Sequence, residues 1–109
     1  MELTVNWTPF AEDKLTDIFE YYKYNAGVRV AQNLINGIID ESLKLSKNPF
    51  IGQKEDLLSD RLQEYRYLVF KNYKIIYWID TNNQMILISH VFDTRQNPKK
   101  WKIFNFKFY

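Results

Sequence analysis

The chain has 109 residues, 46% hydrophobic and 26% charged, with a formal net charge of +2, no cysteine and one histidine. That length builds a single core, and the balance of apolar and charged residues describes a soluble globular protein. Disulfide scaffolds, thiolate metal centres and multi-histidine metal sites are excluded. No apolar run reaches a membrane span, the charged N-terminus is not a signal peptide, and the reading is a cytoplasmic protein without metal or cofactor.

ELTVNW (residues 2–7) alternates and reads as a short strand. Thr8-Pro9 then predicts a helix start, since threonine caps and proline fits the first turn, where its missing N–H costs nothing. Ala11, Leu15, Ile18, Phe19 and Tyr22 form one helical face, which ends at Asn25-Ala26-Gly27. A second apolar face runs through Ala31, Leu34, Ile35, Ile38, Ser42 and Leu45 and stops before Asn48-Pro49. So short a turn makes the two helices an antiparallel hairpin.

A polar loop with Pro49 and Gly52 covers about residues 48 to 63. The period then changes to that of strands: EYRYLVF (64–70), YKIIYWID (73–80) and QMILISHVF (84–92). Lys71-Asn72 and Asn82-Asn83 are the expected tight turns. The fold class is therefore α+β, in the order β-α-α-β-β-β, with a helical hairpin on one face of a small antiparallel sheet. Two-residue turns put Leu68, Phe70, Ile75, Tyr77, Ile79, Ile86, Ile88 and Phe92 under the helices, with His90 pointing in beside Ile75. Tyr65, Tyr67, Val69, Lys74, Ile76, Trp78, Leu87, Ser89 and Val91 take the other face. A one-residue slip exchanges the two sets.

Charge is unevenly distributed. Residues 1–60 hold six Lys/Arg against ten Asp/Glu, a net of −4, and residues 61–109 hold nine against three, a net of +6. The second half suits nucleic acid or an acidic protein segment. A lone histidine on an apolar strand is ordinarily a satisfied core residue. Glu12/Asp13 and Asp40/Glu41 fall on exposed helix faces, and neither a phosphate-binding glycine loop nor a nucleophile motif is present. What remains is cationic and aromatic: Arg66, Lys74, Arg95, the lysines after Pro98, and Tyr65, Tyr67, Trp78 and Trp101. Such a set suits single-stranded RNA, although aromatic residues are also ordinary strand formers and lysines ordinary edge protection.

WTPFAEDKLTDIFEYY, NPFIGQKE, YRYLVFKNYKIIYWID and FDTRQNP together resemble the RelE/ParE superfamily of bacterial toxins, from type II toxin–antitoxin and plasmid-stabilisation modules. The resemblance covers about residues 3 to 98 and implies the same fold. It also implies a cognate antitoxin, and one of two modes of action. RelE-like members cut mRNA on the ribosome with Arg or Lys on the middle strands and an Arg, His or Tyr toward the C-terminus. ParE-like members lack that set and are associated with inhibition of DNA gyrase. Here Lys74 stands at the RelE-type arginine position, and Val69 at a neighbouring position commonly basic in the ribonucleases. Arg95 matches a C-terminal arginine, and Trp101 falls where a tyrosine is expected but cannot exchange a proton. These departures favour the ParE-like branch, a non-enzymatic inhibitor. The alternative is a ribosome-dependent endoribonuclease in which Lys74 and Arg95 stabilise the scissile phosphate. Arg66, Lys74, Arg95, Lys99, Lys100 and Trp101 are the expected target- or partner-binding residues. The expected layout is one toxin domain over residues 1–98, followed by a basic, aromatic extension over 99–109; residues 95–109 are expected to contact the antitoxin, to pair with a second copy in a homodimer, or to complete the sheet.

Overall fold

The computed structural model describes residues 2–96. Strand β1 (Thr4–Trp7) leads into helix α1 (Pro9–Ala26) and helix α2 (Val28–Leu43), which a 3-10 turn extends over Lys44–Ser46. Thr8 caps α1 as expected, its hydroxyl accepting from the Ala11 amide at 3.2 Å. Gly27 alone joins the helices at φ 100°, a left-handed conformation that favours glycine, and its N–H closes the last turn of α1 onto Tyr22 and Lys23 carbonyls. Among the described residues, no helix is long and apolar enough to cross a membrane.

The expected helical hairpin lies on a largely antiparallel sheet, with two additions. The segment read as a polar loop contains a two-residue strand, β2 (Gln53–Lys54), and a 3-10 turn, Asp56–Leu58. With β3 (Arg66–Phe70), β4 (Tyr73–Asp80) and β5 (Met85–Asp93), the sheet has five strands in the order β1-β5-β4-β3-β2. Strand β1 pairs with β5 in parallel, and the other neighbours are antiparallel. Lys71-Asn72 forms the two-residue turn, with Phe70 opposite Tyr73. The second turn is a four-residue loop, Thr81 to Gln84, capped by Asp80 accepting from the Asn83 amide at 3.2 Å. It keeps the expected register, since Asp80 pairs with Met85.

The faces follow expectation up to Ile88 and then change. Tyr77 opposes Ile88 but Ile76 opposes His90, so Ser89 is an extra residue and the alternation of β5 reverses beyond it. Val91, expected on the open face, joins the helix-covered core with Ala11, Leu34, Ile38, Leu45, Ile75, Tyr77, Ile86 and Ile88. Phe92, expected under the helices, instead packs on the opposite face with Leu58, Tyr65 and Ile76. His90 moves with it, opposite Ile76 rather than beside Ile75. Leu15, Ile18 and Tyr22 pack against the main core partly buried, while Phe19 is half-buried outside it.

Tyr77 ties the long loop to this core. Its fully buried hydroxyl donates to the Pro49 carbonyl at 2.7 Å and accepts from the Gly52 amide at 3.1 Å. A side chain at Gly52 would collide with that ring and with the Tyr67 carbonyl, so only glycine lets the loop approach this closely. Tyr77→Phe strands both backbone groups, and chemical denaturation should show a loss of about 1–3 kcal/mol without change of fold.

Candidate functional site

The three candidate cations within the described residues occupy three separate places, and each is held by an internal acceptor. Arg66 projects on the helix-covered side of β3, opposite Tyr77. Its guanidinium donates to the Gly52 carbonyl at 2.9 Å and to Glu64 at 3.1 Å, and lies 5.1 Å from the centre of the Phe50 ring. It braces the segment leading into β2.

Lys74 lies on the other face of the sheet, opposite Val69 and Phe92. Its ammonium is 2.8 Å from Glu55 Oε1 and 4.1 Å from the centre of the Tyr67 ring. The Glu55 side chain is 3% exposed and that of Lys74 is 22% exposed. The second Glu55 oxygen caps the following 3-10 turn by accepting from the Leu57 amide at 3.2 Å. Arg95 follows β5 and grips Asp93 with two parallel bonds, Nε to Oδ1 at 3.0 Å and Nη2 to Oδ2 at 2.8 Å. Asp93 also accepts from Asn72 at 3.1 Å and from the Arg95 amide at 2.9 Å. The Arg95 bonds hold the Asp93 carboxyl down at about 2. Lys99, Lys100 and Trp101 lie outside the described residues, as does the whole 99–109 extension.

A cleft of about 600 Å³ opens between α1 and the end of β5, lined among others by Lys14, Asp17, Tyr21, Tyr73, His90 and Arg95. The His90 ring meets Phe10 edge-on at 5.0 Å and Phe92 at 5.8 Å. Burial, aided by the nearby charge of Lys14, lowers its pKa to about 4. Burial moves the Tyr73 hydroxyl the opposite way, well above the usual phenol range, beside the Tyr22 hydroxyl at 3.5 Å. Burial likewise raises Tyr77, and bonding to Lys54 lowers Glu64. The displaced pKa values of the described residues therefore all move away from neutrality.

Sequence reasoning picked out the cations but missed Glu55, the buried carboxylate that fixes one of them. It sits in a stretch with neither helical nor strand period, and its partner is 19 residues further along the chain. Of the four helical acids expected on exposed faces, Glu12, Asp13 and Asp40 are exposed, and Glu41 is half-buried beside Lys44 at 3.0 Å.

Residues 5–98 match the model of the ParE toxin family of type II toxin–antitoxin systems, parDE, and the chain belongs to that family. Among proteins of curated function none matches the sequence. Solved structures that share the fold include the following two. One is a chain of the chromosomal ParDE toxin–antitoxin system of P. aeruginosa, with a TM-score of 0.68 and 17% identity over 83% of this chain and 94% of that one. The other is a chain of the RelBE2 toxin–antitoxin complex of Mycobacterium tuberculosis, with a TM-score of 0.61 and 17% identity over 84% and 96%.

Two outcomes follow from the site. Lys74→Ala leaves the Glu55 carboxylate buried without its cation. Urea unfolding at pH 7 should show a loss of about 3 kcal/mol, the low end for a broken buried pair because Lys74 keeps some exposure. His90 binds its proton more weakly folded than unfolded, so stability falls as pH drops from 6.5 toward 4 and the loss is complete below that. The span corresponds to about 3 kcal/mol. A pH series of unfolding curves should show this slope, and His90→Phe should flatten it.

Proposed function

We propose that this chain is the toxin of a type II toxin–antitoxin module that stops growth by binding DNA gyrase, without cutting RNA, and is neutralised by a cognate antitoxin. The observation that carries this reading is the internal engagement of Arg66, Lys74 and Arg95. A ribonuclease of the RelE type needs a cation ready to meet a phosphate and a group that exchanges a proton near neutral pH. Lys74 and Arg95 are each paired with a carboxylate, and His90 is neutral and buried. Arg66 and Lys74 thus support the target-binding surface by bracing it. Arg95 stays 63% exposed although paired with Asp93, and partner contact falls in this reading to that Asp93–Arg95 pair together with Lys99, Lys100 and Trp101. The net charge of +6 on residues 61–109 favours an antitoxin segment in which acidic and apolar residues interleave.

The purified chain should inhibit supercoiling by gyrase, and the antitoxin should relieve the inhibition. In a reconstituted translation reaction it should leave ribosome-bound mRNA intact. Cleavage of that mRNA, abolished by Lys74→Ala with the fold retained, would replace this reading with the endoribonuclease.

A further inference from the structure

Residues 55–65 form a loop closed on itself and laid over the open face of the sheet. Its ends meet where the Glu55 amide donates to the Tyr65 carbonyl at 2.8 Å. Leu58 and Tyr65, 1% and 2% exposed, anchor it on Ile76 and Phe92. Its sequence, EDLLSDRLQEY, holds four acids and one arginine. The face beneath presents Lys74 over the Tyr67 ring, with Trp78 four residues further along β4 on the same side. A cation beside aromatic rings on a sheet face is the chemistry that holds single-stranded RNA. Here an oxygen of Glu55 already stands 2.8 Å from that cation, where a phosphate oxygen would stand.

We propose that Glu55 is a specificity-determining residue: its carboxylate occupies the anion position at Lys74 and closes this face of the sheet to single-stranded RNA. The inference extends the reading of the chain as a non-cleaving inhibitor, by naming what withholds the face from RNA. The geometry suits the role. Glu55 is held from two sides, by the cap on Leu57 and by Lys74, so it is positioned without needing to reorganise. Lys74 keeps enough exposure for a ligand to reach it once the carboxylate charge is removed.

The test is the binding of a short fluorescent single-stranded RNA at low salt to the unsubstituted chain, Glu55→Gln, and Glu55→Gln/Lys74→Gln. Glutamine keeps the length of the side chain and its acceptor for the Leu57 amide. Glu55→Gln should bind roughly tenfold more tightly than the unsubstituted chain, with a salt dependence steeper by about 0.7 for the one cation released. The double variant should return to the starting affinity. Equal affinity for Glu55→Gln and the unsubstituted chain overturns the proposal, as does a gain that persists in the double variant. If circular dichroism shows Glu55→Gln unfolded, Glu55→Asp retracts the carboxylate by one methylene and must still give a gain, a smaller one; none there overturns it equally. The gyrase reading is judged separately, by supercoiling with the unsubstituted chain, so either can fail alone.

Discussion

The extra residue in β5 decides what each side of the sheet contains. Strand β1 accompanies β5 only as far as Ile88, whose carbonyl takes both the amide and the hydroxyl of Thr8 at 3.0 Å as the chain turns away into α1. Immediately past that point β5 gains an edge, and the bulge at Ser89 falls there, where a strand can bend without breaking a second ladder. Beyond it Val91 turns under the helices and Asp93 comes beside Tyr73 and Asn72, where it collects Asn72 and Arg95. His90 and Phe92 turn to the other side, and Phe92 gives the loop of Leu58 and Tyr65 an apolar seat. Strict alternation would have sent Asp93 to that second face, away from Tyr73, and removed the seat. The Arg95 clamp and the loop over Lys74 both depend on one residue of register.

That dependence explains which parts of the fold could be read from sequence. The helices were legible because their signals are local: Thr8-Pro9 at the start, Gly27 at the turn, and apolar residues at helical spacing. The β3–β4 hairpin was legible for the same reason, its turn fixing its register. The bulge was not, since Ser89 sits in an unbroken strand-like run and nothing in its neighbours marks an extra residue. Strand β2 was not legible either. Two residues carry no period, and they pair with β3 only because Tyr77 and Arg66 capture the backbone around Gly52 from a distance. The site was read in the same partial way: residue type identified the cations, while their partners, Glu55 and the backbone of 50–52, are tertiary neighbours.

Those partners also change what the charge of the chain means. Residues 61–109 carry +6, a balance that by itself suits nucleic acid or an acidic protein segment. Within the described part, residues 61–96 hold five Lys/Arg against three Asp/Glu, a net of only +2, and Arg66, Lys74 and Arg95 each lie against a carboxylate. Residues 97–109 hold the other four lysines and no acid. The excess positive charge of the second half is therefore carried mainly by the final residues of the sequence, whereas Arg66 and Lys74 hold loop segments in place.

The described residues also expose apolar side chains. Phe50 and Ile51 lead into β2, Leu57 and Leu62 lie in the loop that follows it, and Val69 is on β3 beside it, all substantially exposed, with Leu62 at 98%. Arg66 lies over the Phe50 ring and holds the Gly52 carbonyl, so the Phe50 part of this exposed apolar surface is fixed in place. Internally engaged cations and exposed apolar side chains are what support the proposed reading, in which a partner is held through burial of side chains. Within that reading such a surface suits a protein partner better than a phosphate backbone, whose binding scales with the number of cations free to meet it.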